Sequence, residues 1–333
     1  MNAYDVAVIG AGPAGSAAAI ELARAGASVV LFEKSEFPRH KVCGEFLSPE
    51  VATVLDELGC GRLLDPAPRM NLACVHTRSG QFLDFPMDSP AFGLSRWALD
   101  SGLVRAAESQ GATFVPKTDG QQFDAPVVID ASGRKSREGS TFGFKAHFLG
   151  DYPARVDLHF IDAGYFGVSP VENGRINVCG LIEKSQVRQA SDILRATLKD
   201  AWPQEWPLIF TGPLDPGRRT IDHLQAGDAA AFLDPFTGDG ISLALRSGRL
   251  AAAAALRMLN GESEAAALVH YKKELRKMHS GQFSAAGLLR FGAHRTWLEA
   301  PVSRLLAASP ALRRTVFRIT RGKTARSKQA VCL

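Results

Sequence analysis

An α/β fold is what this sequence predicts: a parallel-sheet nucleotide-binding domain interleaved with a mainly antiparallel sheet, and then a helical C-terminal region. Three observations predict it. Gly10, Gly12 and Gly15 form a GxGxxG turn between an apolar run and a small-residue run. Strand and helix signals alternate over residues 1–66 and 94–140, as the crossovers of a parallel sheet require. The period-two stretches Arg155 to Phe160 and Arg175 to Leu181 lie in a separate block, as antiparallel strands with one covered face should.

Each element follows in order. Tyr4 to Ile9 reads as a short buried strand, the glycines as a tight turn, and Ser16 to Ala25 as a helix whose N-terminus points back at the turn. Free N–H groups and the helix dipole there favour an anion such as a pyrophosphate. Gly10 permits the turn, Gly12 lets phosphates approach the backbone, and Gly15 lets helix and strand pack closely. The next strand, Ser28 to Phe32, ends at Glu33, placed to accept both ribose hydroxyl protons and to disfavour a 2'-phosphate. These features define a Rossmann-like dinucleotide site and leave NAD and FAD open. Met70 to Phe85 reads as a hairpin turning at Arg78-Ser79-Gly80, and Asp130-Ala131-Ser132-Gly133 ends a strand near mid-chain. Gly227-Asp228, Pro235, Gly238, Asp239 and Gly240 precede an Ala-rich helix from Ile241 to about Leu259, closed by Gly261. A second helix N-terminus in one dinucleotide site suits a ring that becomes negative on reduction, which describes a flavin.

The set of motifs resembles the FAD-dependent oxidoreductases related to p-hydroxybenzoate hydroxylase, most closely their geranylgeranyl reductase-like branch. It is carried by the glycine turn with Pro13 and Ala14, by Asp130 to Gly133, by Gly227 to Ile241, by Arg39-His40-Lys41-Val42-Cys43-Gly44-Glu45, and by Ser95-Arg96 opening a helix. The resemblance implies bound FAD. Glu33, with Lys34 beside it, would meet the adenosine ribose. Arg96 and Asp228 would hold the ribityl and pyrophosphate region. Gly238 to Ile241 would face the flavin ring, with the Lys41–Gly44 loop alongside. It also implies a discontinuous FAD domain (1–66, 94–140 and 220–260), a substrate domain (67–93 and 141–219) covering the flavin, and a helical basic region (261–333).

Function follows the cofactor. The expected activity is oxidoreduction of a hydrophobic small molecule, polyprenyl, polyketide or similar, by hydride transfer through flavin N5, with NADH, NADPH or a donor protein supplying electrons. A hydroxylase using a flavin C4a peroxide is the alternative, and a flavin-binding protein without turnover the alternative from another class. Gly164 to Pro170 occupies the place of a Tyr-x-Trp-x-Phe-Pro pattern in the reductases, keeping Tyr165 and Pro170 but lacking the Trp and the bulky residue before Pro. Catalytic candidates are Cys43, Tyr165, His147 and His159, the histidines as proton donors near neutral pH; for all four, packing is the competing role.

Composition bounds the rest. Five cysteines, Cys43, Cys60, Cys74, Cys179 and Cys332, without CxxC spacing, predict reduced thiols in a cytoplasm and no metal site. No apolar run approaches the ~20 residues of a membrane span. From Ala286 to Leu333 ten Lys and Arg stand against Glu299, a local charge of +9 in a chain of +5. Apolar residues recur there at near-helical spacing, with Pro301 and Pro310 expected to divide the segment. A packed subdomain with a solvated basic face and a peripheral membrane contact are both compatible with that pattern. No nucleic-acid recognition module accompanies the charge.

Overall fold

The structure is a computed structural model describing residues 4–134, 139–198, 208–214, 217–218, 220–232, 235–293 and 296–320. Its strands in chain order are β1 (Val6–Ile9), β2 (Val29–Glu33), β3 (Phe46–Leu47), β4 (Arg69–His76), β5 (Phe82–Gly93), β6 (Thr113–Pro116), β7 (Val127–Asp130), β8 (Thr141–Leu149), β9 (Val156–Ile161), β10 (Gly164–Val171), β11 (Arg175–Glu183), β12 (Ile209–Leu214), β13 (Gly217–Arg218), β14 (Leu224–Gln225) and β15 (Ala231–Phe232). The helices are α1 (Pro13–Arg24), α2 (Pro49–Glu57), α3 (Arg96–Ser109), α4 (Ala190–Leu198), α5 (Gly240–Leu259), α6 (Glu264–Ala293), α7 (Thr296–Ala308) and α8 (Pro310–Thr320).

The apolar run at the start becomes the centre of a parallel sheet ordered β14-β7-β1-β2-β6. All four residues of β1 are buried, which matches a strand covered on both faces. Alanines make the covering helix thin: Ala14, Ala17, Ala18 and Ala19 of α1 are buried in the main core. At Gly248 of α5 a side-chain carbon would sit 2.0 Å from the Ala14 carbonyl oxygen, so α1 and α5 touch backbone to backbone.

The second sheet has eight strands in the order β12-β8-β11-β10-β9-β4-β5-β3. The hairpin forms as expected, with Gly80 N donating to the Thr77 carbonyl across its turn. The sheet is mixed, because β4 pairs with β9 in parallel while its other pairs are antiparallel. An early hairpin joins strands made much later in the chain, and a long crossover sets that direction. One face packs Phe144, Phe166 and Val178 against Ala190 and Leu194 of α4. The opposite face carries Lys145, His147, Asn177 and Tyr165, and it meets the parallel-sheet domain.

The C-terminal region corrects one expectation. Pro301 lies inside α7 and does not divide it, whereas Pro310 opens α8. A proline six residues into a helix removes one hydrogen bond but leaves the chain helical. Before Pro310 a helix start is built: Ser309 Oγ accepts from Leu312 N at 3.2 Å, and Pro fits the first helical position. Arg321, Lys323, Arg326, Lys328 and Cys332 lie outside the described residues. Among the described residues, no helix is long and apolar enough to cross a membrane, and no group of three or more His, Cys, Asp or Glu could hold a metal ion.

Candidate functional site

The carboxyl ends of β1, β2 and β7 open into a cavity of about 290 Å³, the position at which an open parallel sheet receives ligands. Backbone geometry builds its floor. Gly10 holds φ +103, and a side-chain carbon there would lie 2.4 Å from the Ala131 carbonyl oxygen. At Gly15 the same carbon would lie 1.8 Å from the Gly10 carbonyl oxygen. Gly12 differs, because a side chain there would meet only Arg96 Nη2 at 3.6 Å and would extend into the cavity. Gly12 is also the N-cap of α1, so the positive end of that helix points at the space.

Charge lines the walls. Lys34, Arg39, Lys41, Arg96 and Arg134 face Glu33, Asp119 and Asp228, a cationic surplus suited to an anionic ligand. Glu33 accepts from Ala11 N at 3.3 Å, from Ser35 N at 3.0 Å and from Arg39 Nη2 at 2.9 Å. With about four lone-pair sites on a carboxylate, room remains for about one further donor, where two ribose hydroxyls were expected. Arg39 Nη1 is buried with no partner among the described residues, a donor held ready at the wall. Burial first, then the Arg96 and Arg39 cations, bring the Lys41 ammonium down to about 8. Arg96 is clamped at the start of α3 by Asp100, Nε to Oδ1 and Nη2 to Oδ2, both at 2.7 Å.

Asp130 lies behind the wall, where Oδ1 accepts from Ser132 N at 3.0 Å and from Ser132 Oγ at 2.6 Å and shapes the turn that brings Ala131 and Gly133 to the cavity. Asp228 joins the cavity to a small cleft lined by Gly227, Gly240 and Ser247 at the start of α5. Pro235 opens a short turn leading to that helix, and Gly238 holds φ +68, where a side-chain carbon would lie 2.9 Å from the Phe46 ring. Asp239 is the N-cap of α5 and Ile241 is buried in its first turn. Pro13 and Ala14 begin α1 and are buried. Of the expected residues, Gly10, Gly12, Glu33, Lys34, Arg39, Lys41, Arg96, Ala131, Gly133 and Asp228 line the cavity itself.

The wall also contains residues that motif reading passed over. Thr118, Asp119 and Gln121 close the end near Glu33, with Thr118 N donating to the Glu33 carbonyl at 2.9 Å. The Asp119-Gly120 turn signature was available as a signal, since a side chain at Gly120 would strike the Phe32 ring at 2.3 Å. At the other end Arg134 donates from Nη2 to Thr211 Oγ1 at 3.3 Å, approaches Asp228 at 3.7 Å and lies 4.9 Å over the Phe232 ring. No local pattern announces a contact made across 77 residues.

The catalytic candidates stand off this wall. Cys43 accepts from Glu45 N at 3.4 Å through its sulfur. Tyr165 packs with Leu181, Leu214 and Phe232, and its ring meets Phe236 edge-on at 5.4 Å, with Phe160 also 5.4 Å from Phe236. His147 is buried and donates from Nε2 to Glu45 Oε2 at 2.5 Å. His159 is corrected as a proton donor near neutral pH. It stacks between His76 at 4.1 Å and Phe166 at 4.8 Å, and burial, with the His76 charge second, brings it down to about 4. At pH 7 it is neutral.

The room at Gly12, the cationic wall and the idle Arg39 nitrogen fit an anionic dinucleotide. The comparisons with known proteins identify it. Residues 3–149 match the FAD binding domain model. A menaquinone reductase of Mycobacterium tuberculosis is 30% identical, with 75% of this chain and 76% of that protein covered. Digeranylgeranylglycerophospholipid reductase 2 of Methanopyrus kandleri is 26% identical over 96% of this chain and 93% of its own. A geranylgeranyl bacteriochlorophyll reductase-like protein of Thermoplasma acidophilum superposes with a TM-score of 0.75, at 20% identity, over 92% of this chain and 91% of that one, which shows a common fold. The chain belongs to the FAD-dependent oxidoreductases of the p-hydroxybenzoate hydroxylase-like superfamily, in their geranylgeranyl reductase-like branch.

Proposed function

We propose that the protein reduces a lipophilic unsaturated molecule of the quinone or polyprenyl kind, with FAD lying along the cavity and NADH or NADPH as electron donor. One observation carries the reading: the charged cavity ends at an apolar, aromatic wall. Arg134 stacks on Phe232, which packs with Leu181, Leu214 and Tyr165, and the Tyr165 ring leads to Phe236 just before α5. A cation-lined slot for the cofactor thus abuts a surface suited to a flat, water-poor substrate. The curated relatives named for menaquinone and digeranylgeranylglycerophospholipid reduction support that substrate class.

FAD, when bound, supplies a carrier for two electrons. The chain's residues do the rest. Glu33 accepts a ribose hydroxyl. Arg39, Lys41 and the start of α1 would hold the pyrophosphate, which places Lys41 nearer the phosphates than the ring beside which the sequence set its loop, and Gly12 would leave room. Asp228 and Arg96 would fix the region between, and the positive end of α5 would favour negative charge on the ring. The aromatic wall excludes water from the substrate. Val302 and Leu305 are exposed on α7 beside Arg304, and the helix meets an anionic bilayer from which such a substrate is drawn.

The test is anaerobic turnover of the FAD-loaded full chain with NADH or NADPH and a prenylated naphthoquinone, read by mass spectrometry. The expected product gains two hydrogens. In anionic vesicles the Val302→Asp, Leu305→Asp double variant turns over more slowly while its rate on detergent-solubilised quinone is unchanged; equal rates in both remove the bilayer contact. A product that forms only in air and carries an added oxygen overturns reduction in favour of hydroxylation. FAD bound without turnover by either route points to a non-catalytic role.

A further inference from the structure

A buried polar cluster between the mixed sheet and the loop from Arg39 to Glu45 is used by none of the roles above. Lys145 of β8 and Asn177 of β11 are each 1% exposed, and Glu45 is fully buried. Lys145 Nζ donates to the Lys41 carbonyl at 3.2 Å and to Glu45 Oε1. Asn177 Nδ2 donates to the carbonyls of Cys43 and Gly44 at 3.2 and 2.8 Å. Glu45 also accepts from His147 Nε2 and, at 2.7 Å, from Arg96 N. Burial opposes ionisation of Glu45, yet the His147 hydrogen bond and the Lys145 charge hold its carboxyl below the usual range.

Such a cluster is a costly way to stabilise a sheet. Desolvating a charge is unfavourable, and apolar residues of the same volume are often as good or better. Glu45 sits at φ 52, a left-handed conformation that is strained outside glycine. The Asn177 amide oxygen is buried without a partner among the described residues, so its amide is turned to suit the loop at a further cost in stability. What the arrangement secures is the direction of a backbone. The carbonyls of residues 41, 43 and 44 are drawn to the sheet. A trans peptide sets each N–H opposite the preceding carbonyl, so the Val42 and Gly44 N–H groups turn away from the sheet. Lys41 and Val42 of this same loop line the cavity.

We propose that Lys145 and Asn177 are positioning residues: side chains of the substrate-facing sheet hold the Lys41–Glu45 loop in the orientation that FAD binding requires, with Glu45 and His147 neutralising and orienting Lys145. The proposal rests on the reading of the cavity as the FAD site. It makes the two sheets a single binding unit, because a change on β8 or β11 is felt by a cofactor bound at the ends of β1 and β2.

The experiment titrates FAD into the apoprotein of the wild-type chain and of the Lys145→Met and Asn177→Ala variants at 10 °C, and records the visible spectrum of bound flavin and the melting temperature of each apoprotein. Asn177→Ala alters no charge and serves should Lys145→Met fail to fold. The expected result is a dissociation constant raised about tenfold and a shifted flavin absorption band in a variant that is fully folded at the titration temperature. A variant that melts lower yet binds FAD with wild-type affinity and spectrum overturns the proposal and leaves the cluster merely structural. A wild-type chain that takes up no FAD removes the reading of the cavity instead, a different failure.

Discussion

Glu33 and Glu45 are twelve positions apart, both buried, and they flank the same loop, but their surroundings are opposite. Around Glu33 the partners are two backbone N–H groups and an arginine with one nitrogen idle. Around Glu45 a lysine, a histidine and a backbone N–H occupy the carboxylate from inside the protein. A carboxylate on a cavity wall is open to a ligand, whereas one sealed under the wall holds the ligand's surroundings in place. Neither burial nor the number of partners, three for each carboxylate among the described residues, separates the two roles; a place on the cavity wall does.

The contrast breaks most readily at Glu45. Glu45→Ala leaves Lys145 charged and buried, and urea unfolding of the apoprotein is expected to show a loss of about 3–5 kcal/mol. A loss below 1 kcal/mol would mean that the cluster is wetter than its burial implies. Glu33→Gln is expected to behave the other way. Its main effect is on the ligand, and FAD affinity falls roughly ten- to a hundredfold, or about 1.5–3 kcal/mol. An unchanged affinity in the titration takes the ribose away from Glu33. The smallest effect is one of pH. Lys41 titrates near 8 in the folded apoprotein, so its cation, which attracts phosphate, is lost as pH rises through that value. FAD affinity should therefore fall severalfold between pH 7 and pH 9.5 in the wild type and less steeply in Lys41→Met; parallel slopes would place Lys41 away from the phosphates.

The same contrast marks what could be read in the sequence. Gly10, Gly12, Gly15 and Glu33 declare themselves because their work is local: a turn, a helix start and a strand end lie within a few residues of one another. The alternating strands were legible for the same reason, since one covered face imposes its period on adjacent residues. Glu45 was quoted only as the end of a loop motif, because its partners Lys145 and His147 come from 100 and 102 residues further on. For His159 the sequence left proton donation and packing both open, and only the stacking partner on β4 brings packing into view. In α7 the sequence signal was present and overweighted: Pro301 removes one hydrogen bond, and the helix tolerates the loss.

The parallel pairing of β4 with β9 also constrains how the molecule is made. A ribosome delivers the hairpin of residues 69–93 long before its neighbour at Val156–Ile161, and both β6 and β7 of the other sheet emerge in between. Until β9 arrives, one side of β4 offers a row of unpaired amides to any passing strand. Closing contacts over such sequence distances is slow, so that side of β4 stays open for the whole interval. The same topology forbids dissection. A fragment ending at residue 149 would carry β3, β4, β5 and β8 without the strands that join them.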